Sequence, residues 1–97
     1  MLYLNVWLTV KNRADVEAVR KLLSEAAQKS REEPGCKRFE VYHSTTDETR
    51  FLLNEHWESQ DAIDAHRKAF AYTRIYQPLV LPLVNREPHP SNLVEPA

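Results

Sequence analysis

The sequence contains only one glycine, Gly35, and one cysteine, Cys36, in 97 residues. A single glycine excludes the glycine-rich phosphate loops and dinucleotide fingerprints that bind nucleotides. A single cysteine excludes an intrachain disulfide and any metal site built from several cysteines, and it is typical of a reducing compartment. The default expectation is therefore a cytoplasmic protein in which nothing favours a nucleotide cofactor.

Long apolar runs and an excess of charge are also missing. No run approaches the length of a transmembrane helix, and the first residues alternate without the cationic leader of a signal peptide. Thirteen basic and fourteen acidic residues are interspersed along the chain, so no charged surface for nucleic acid or an anionic membrane is expected. The length and the 42% hydrophobic share predict one small soluble domain.

Alternating apolar residues predict three strands. The first covers residues 2–10, with Tyr3 and Trp7 on the face opposite its aliphatic residues. Residues 38–44 and 51–57 alternate in the same way and are joined by a polar turn, which indicates a hairpin. The alternation places Leu53, Glu55 and Trp57 on one face and Asn54 and His56 on the other.

Helical spacing predicts the rest of the domain. One amphipathic helix covers residues 13–31, ended by Pro34-Gly35. A second helix follows the cap Ser59, and a third covers residues 72–81, where Pro78 should kink it. A short strand over residues 83–87 then completes a domain of residues 1–87, and the prolines of residues 88–97 predict an irregular, extended tail.

The element order predicts an α+β fold of the ferredoxin-like class, a split β-α-β arrangement whose antiparallel sheet is covered by helices on one side. The uncovered face would carry Tyr3, Trp7, Tyr42, Leu52 and Asn54. That surface is too apolar to face water, so we expect a homodimer in which two sheets face each other.

Glu55 and His66 are the candidate reactive groups. His66 lies on the apolar stripe of its helix between Ile63 and Phe70, which fits either a packed histidine or a proton acceptor that works near neutral pH. A carboxylate at position 55 must be paired or neutral. It either forms an ion pair with an arginine or orients His66 as a base.

Several motifs resemble the antibiotic biosynthesis monooxygenase superfamily. They are Glu33-Pro34-Gly35-Cys36, the run from Arg38 to Tyr42, Glu55-x-Trp57-Glu58-Ser59 and Ala65-His66. The resemblance covers residues 2 to about 83 and implies a dimeric ferredoxin-like α+β barrel. It further implies that the helix histidine points into a pocket between helices and sheet.

The resemblance implies a cofactor-independent monooxygenase in which a small phenol or hydroquinone is itself the reductant for O₂. His66 and Glu55 would then be catalytic. The expected substrate-binding residues are Trp57, His43, Leu53, Phe70, Tyr72, Ile75 and Tyr76. No cofactor and no metal site are expected, because no cluster has ligand spacing.

Two rival functions remain open at this point. The superfamily includes haem-degrading proteins that use an Asn on the first strand with a Trp and a His, and Asn5, Trp57 and His66 superficially supply that set. Strand alternation, however, places Asn5 on the face away from the helices. The other rival is a non-oxidative isomerase or a ligand-binding barrel without catalysis.

Overall fold

A four-stranded antiparallel sheet with helices on one face forms the core of the protein, in a computed structural model that describes residues 1–96. Its strands are β1 (Leu2–Val10), β2 (Cys36–His43), β3 (Arg50–Trp57) and β4 (Val84–Ser91), in the order β2-β3-β1-β4. Two α-helices, α1 (Val16–Ser30) and α2 (Gln60–His66), and a π-helix (Ala71–Val80) cover one face. This arrangement confirms the ferredoxin-like α+β fold.

The alternation predicted for the strands is confirmed. In β1, residues with even numbers from Leu4 to Val10 are buried against the helices, and the odd-numbered residues lie on the other face. In β3, Phe51, Leu53, Glu55 and Trp57 are buried on the helix side. The largest fully buried side chains, Trp57 and Phe51 among them, therefore come from the sheet.

The first helix begins as a 3-10 turn, at Arg13–Asp15, which is followed by α1. The side chain of Asn12 accepts a hydrogen bond from the Ala14 amide at 2.9 Å, which satisfies one of the free donors at a helix start. The cap predicted at Ser59 is also present, since the Ser59 hydroxyl accepts from the Ala62 amide at 3.2 Å.

Gly35 makes the turn between α1 and β2 in a left-handed conformation, with φ at 83°. A side chain there would place a Cβ 2.6 Å from the Cβ of Ala62 on α2. The Gly35 carbonyl accepts a hydrogen bond from the Glu58 amide at 2.8 Å. The only glycine therefore sits where the backbone requires positive φ and where α2 approaches closely.

The segment around Pro78 is a ten-residue π-helix instead of the kinked α-helix predicted from the sequence. A proline in an α-helix loses the bond to the carbonyl four residues earlier and collides with it. The wider π turn moves its hydrogen bonds to the fifth residue back, as in the bond from the Leu81 amide to the Tyr76 carbonyl. The helix accommodates Pro78 in this way and ends in a 3-10 turn, Leu81–Leu83.

The last strand is longer than predicted, because β4 continues through Pro88 and Pro90 to Ser91 and pairs with β1. Residues 88–91 are therefore not an irregular tail. Pro88 and Pro90 are two residues apart, so their backbone nitrogens point to the same side of β4. Because β4 is an edge strand, one of its sides has no partner strand, and missing N–H donors are tolerated there. The division into a domain of residues 1–87 and a tail stays a prediction.

The helix-free face of the sheet carries a mixed surface. Tyr3 packs edge-on against His56, with ring centroids 4.7 Å apart, and the Arg50 guanidinium lies over the Trp7 ring at 4.6 Å. Leu52 lies opposite Trp7 in β1 and opposite Tyr42 in β2. Among residues 1–96, every helix is too short or too polar to cross a membrane.

Candidate functional site

A recess lies between the helices and the covered face of the sheet. Apolar side chains from β1, β3, α1, α2 and the π-helix form most of its wall. Its polar lining residues are Ser30, Glu55, His66, Arg67, Tyr72, Tyr76 and Arg86.

The enclosed space in the recess is small. The recess leaves about 20 Å³ for the centre of a water-sized sphere, which is room for about one water molecule. All the space between its lining atoms, including the open solvent at its mouth, comprises about 480 Å³. A hydroxyl group fits the enclosed space, whereas an aromatic ring would have to extend into the solvent at the mouth.

His66 is bound to Glu33, and this pair is the most distinctive feature of the recess. The Nδ1 atom of His66 lies 2.7 Å from Oε1 of Glu33, and the two side chains are only 9% and 15% exposed. Nε2 of His66 makes no hydrogen bond within residues 1–96. Glu33 follows the end of α1, while His66 ends α2, so the pair joins two elements.

Burial shifts both members of this pair toward their neutral forms. It raises the pKa of Glu33 to about 7. It lowers the pKa of His66, an effect opposed by the charge of Glu55 and reinforced by that of Arg67. Glu33 therefore changes its protonation state close to neutral pH, next to an imidazole that burial shifts toward its neutral form.

Aromatic rings surround the imidazole of His66. The ring centroid of Trp57 lies 4.5 Å away, and those of Tyr72 and Phe39 lie at 5.7 and 5.8 Å. Such rings hold the imidazole in place and keep water from it, which accounts for its lowered pKa.

Glu55 is bound to Trp57, not to His66. Its Oε1 atom accepts a hydrogen bond from Nε1 of Trp57 at 3.0 Å, and the residue is 5% exposed. Neither the predicted ion pair with an arginine nor the predicted contact that orients His66 is present within residues 1–96. Burial raises the pKa of Glu55, and the indole hydrogen bond lowers it in part. An indole donor from the next residue on the same strand face thus replaces the expected cation.

Two groups at the recess have unusual hydrogen bonding. Ser30 is fully buried at the end of α1, and its hydroxyl has no hydrogen-bond partner within residues 1–96. Tyr76 accepts a hydrogen bond from Nε of Arg86 at 3.2 Å, and burial raises the pKa of its phenol to about 12. Tyr76 therefore stays protonated and holds the Arg86 guanidinium at the recess.

The structure brings some of the predicted substrate-binding residues together at the recess. Leu53, Tyr72 and Tyr76 line it, as do the predicted catalytic residues Glu55 and His66. Trp57 lies behind the wall, fully buried, in contact with both Glu55 and His66.

Three other predicted residues lie elsewhere. Phe70 is 58% exposed and lies under the ammonium group of Lys29, because α2 ends before it and its ring turns outward. His43 stacks on Phe51 and lines a separate groove between α1 and β2. Ile75 is buried in an apolar cluster with Ala26 and Ala71.

The residues of the haem hypothesis do not converge. Asn5 lies on the helix-free face, where its amide oxygen accepts from Asn54 at 2.7 Å and its amide nitrogen donates to Ser91 at 3.2 Å. His66 and Trp57 lie on the other side of the sheet. No group of three or more His, Cys, Asp or Glu side chains within residues 1–96 is arranged to hold a metal ion.

Sequence reasoning missed Glu33, Ser30, Arg67 and Arg86 as site residues. Glu33 lies in a turn, where no periodicity predicts a direction for its side chain. Arg86 could have been found from its place on the predicted last strand. Residues two apart in a strand share a face, so Arg86 should lie on the same face as the apolar Val84, which is the face that packs against the helices.

Solved structures that resemble this chain share its fold. A structure described as an antibiotic biosynthesis monooxygenase superimposes with a TM-score of 0.88 at 23% identity, covering 97% of this chain and 99% of that one. A conserved Bacteroides thetaiotaomicron protein of unknown function, described as a possible oxidoreductase, gives 0.87 at 23% identity over 95% and 96% of the two chains. The Pseudomonas aeruginosa protein PA3566 gives 0.83 at 17% identity over 96% and 94%.

Family membership comes from the sequence itself. A search of curated proteins gave no significant match. The family model described as "Antibiotic biosynthesis monooxygenase" matches residues 1–77, which is most of the chain and includes β1 to β3, α1, α2 and His66. The chain therefore belongs to the antibiotic biosynthesis monooxygenase family.

Proposed function

We propose that this protein is a cofactor-independent monooxygenase that acts on a small phenol or hydroquinone. The observation that carries this proposal is the buried pair of Glu33 and His66, which leaves Nε2 of His66 without a protein partner at an apolar recess. A neutral imidazole in such a place is suited to take a proton from a hydroxyl group.

Glu33 sets the direction of that proton transfer. When Glu33 is ionised, it accepts the Nδ1 proton of His66, and the lone pair is then on Nε2. After Nε2 takes the substrate proton, the Nδ1 proton can pass to Glu33 across 2.7 Å. The pair carries one negative charge before this transfer and none after it, which avoids an isolated positive charge among aromatic rings.

The substrate supplies the electrons for the reaction. Its anion passes one electron to O₂, and the two radicals combine into a carbon–oxygen bond on the ring. The peroxide takes the proton back from His66 and becomes a hydroperoxide. His66 then removes the ring proton at that carbon, the O–O bond breaks, and water leaves. Hydroquinone and O₂ thus give hydroxyquinone and one water, which balances all atoms.

The size and lining of the recess support a reaction in which the substrate supplies the electrons and His66 moves the protons. The reacting hydroxyl enters the small enclosed space beside His66, and the ring extends toward the solvent at the mouth. The apolar wall excludes competing water and raises the strength of the interactions at the reacting oxygen. Glu55 and Trp57 lie beneath and hold each other and the imidazole in position.

A homodimer is part of this proposal. The helix-free face carries Tyr3, Trp7, Tyr42 and Leu52, of which Tyr42 is 52% exposed. Two such faces packed together would bury these side chains and leave the recess of each protomer, on the opposite side of the sheet, open to substrate.

Oxygen uptake with a panel of substituted hydroquinones tests the proposed activity. Wild type should consume O₂ above the uncatalysed rate with at least one member, and His66→Ala should lose about a hundredfold or more of that activity. His89→Gln is the matched control, because His89 is exposed, its imidazole hydrogen-bonds only to Glu87 within residues 1–96, and it does not line the recess. Equal inertness of wild type and His66→Ala over the whole panel would refute the proposal.

The same panel under anaerobic conditions separates oxygenation from isomerisation. The proposal expects no product without O₂. Turnover of an oxygenated carbonyl compound without O₂ that depends on His66 would indicate an isomerase instead.

A further inference from the structure

Two arginines border the recess, and neither is needed by the proton chemistry above. Arg67 follows the last residue of α2, and Arg86 lies in β4. Both line the recess, both are exposed, and neither forms an ion pair with a carboxylate within residues 1–96. Exposed arginines on a small protein usually face solvent only, whereas these two also line a recess that contains His66.

Arg86 is held in a defined position. Its Nε atom donates to the hydroxyl of the buried Tyr76 at 3.2 Å, and its two terminal nitrogens make no hydrogen bond within residues 1–96. An arginine anchored through Nε has lost much of its freedom before it meets a ligand.

Glu55 forms no ion pair with either arginine within residues 1–96, although the charges of both arginines partly offset the rise of its pKa. Its carboxyl group is bound to the indole of Trp57, at 3.0 Å. The recess wall thus carries two guanidinium groups against one buried carboxyl group, beside apolar side chains.

We propose that the substrate is a hydroquinone that carries a carboxylate side chain, bound at the mouth by Arg67 and Arg86. This inference rests on the proposed function for the hydroquinone part and on the arginines for the acid part. The ring lies against the apolar wall, the carboxylate meets the guanidinium groups, and one ring hydroxyl reaches His66. Guanidinium groups bind carboxylates through paired hydrogen bonds, which gives orientation as well as affinity.

Anaerobic titration calorimetry with two matched ligands tests the acid site without turnover. The ligands are 2,5-dihydroxyphenylacetate and its primary amide, which has the same ring and nearly the same shape but no charge. Wild type should bind the acid at least about tenfold more tightly than the amide. Arg86→Gln and Arg67→Gln should each reduce that preference, and the double variant should remove it.

Arg74→Gln is the control for the loss of a positive charge. Arg74 is exposed on the same π-helix as Tyr76 but does not line the recess. It should keep the preference of wild type. Equal affinity for acid and amide in wild type, no binding of either ligand, or an equal loss of preference in Arg74→Gln overturns the inference.

Oxygen uptake with the same two compounds and plain hydroquinone separates this inference from the proposed function. If the acid binds through the arginines but no compound drives O₂ uptake, the anion site stands and the oxygenase proposal fails. If hydroquinone and the amide are oxidised with the same kcat/KM as the acid, the oxygenase stands and the acid site fails.

Discussion

The imidazole of His66 and the carboxylate of Glu33 meet at 2.7 Å although 33 positions separate them in the sequence. Their meeting depends on the turn at Gly35, which brings the end of α1 against α2. The site is therefore a property of the packing between the α1–β2 turn and α2, and its chemistry should respond to changes in either partner.

Glu33→Gln should change the pH dependence of the reaction. Because burial raises the pKa of Glu33 to about 7, wild-type kcat/KM should rise with pH to a plateau above about 7. The amide of Gln still accepts the Nδ1 proton but cannot take it up. We expect kcat/KM at pH 8 to fall about tenfold or more, with the inflection shifted to the lowered pKa of His66. An unchanged profile measured by initial rates from pH 5 to 9 would contradict the proposed role of Glu33.

Glu33 and His66 should affect stability with opposite pH dependence. The folded-state pKa of Glu33 is raised from 4.5 to about 7, so its contribution to stability is present below 4.5 and is lost as pH rises to about 7. The folded-state pKa of His66 is lowered from 6.5, so its contribution is present above 6.5 and is lost as pH falls.

Urea denaturation of wild type, Glu33→Gln and His66→Gln from pH 4.5 to 8 measures both contributions. The stability of wild type relative to Glu33→Gln should fall as pH rises through this range. Relative to His66→Gln it should rise. Glu55, whose pKa is also raised by burial, is present in all three proteins and cancels in these differences. If both stability differences changed with pH in the same direction, the pKa shift of either Glu33 or His66 would be assigned in the wrong direction.

Glu55→Gln and Glu55→Leu should differ in stability. Gln keeps an oxygen that can accept from Nε1 of Trp57, whereas Leu leaves a buried indole N–H without a partner. We expect Glu55→Leu to be less stable than Glu55→Gln by about 1–3 kcal/mol. The stability of Glu55→Gln relative to wild type should increase as pH rises, because burial raises the pKa of Glu55 and the amide avoids the cost of ionisation. Chemical denaturation from pH 4.5 to 8 measures all three; equal stability of the two variants would argue against the indole bond.

Gly35→Ala should destabilise the protein by about 2–4 kcal/mol, since it adds strain at positive φ to a collision between two Cβ atoms. Ala62→Gly removes the collision and leaves the strain. The double variant should therefore lose less stability than the sum of the two single changes, as read from thermal and urea unfolding. Strict additivity would show that α2 does not crowd this turn.

Leu52→Asp should separate the proposed dimer. Leu52 lies between Trp7 and Tyr42 on the helix-free face, so a carboxylate there would be buried between two sheets without a partner. Light scattering at micromolar concentration should give twice the chain mass for wild type and the chain mass for the variant. Leu79→Asp, on the exposed side of the π-helix, should leave the mass unchanged. A monomeric wild type would refute the dimer.

The sequence predicts the sheet better than the site. Strand alternation is a strict geometric rule, so the separation of Glu55 and Trp57 from Asn54 and His56 could be predicted and is confirmed. Glu33 lies in a turn that obeys no such rule, and its contact with His66 depends on how that turn packs against α2. Two partners were predicted for Glu55, an arginine or His66, because a buried carboxylate must be paired or neutral. The structure places the indole N–H of Trp57, two residues away, against it instead.

The helical region illustrates the same limit. Helical spacing places Phe70 on the stripe of His66, but α2 ends at His66 and the chain turns, so Phe70 faces out. Pro78 signals a disturbance without specifying its form, since a kink and a π turn both remove the same collision.

The prolines of β4 limit how copies of this chain could assemble. Pro88 and Pro90 remove backbone donors from the outer side of one sheet edge, whereas the outer side of β2 keeps its donors. Backbone pairing between copies is therefore less favourable at β4 than at β2. A contact of β2 with β2 is symmetric and closes at two copies, so the prolines disfavour the β2-to-β4 contact that would propagate into a fibre.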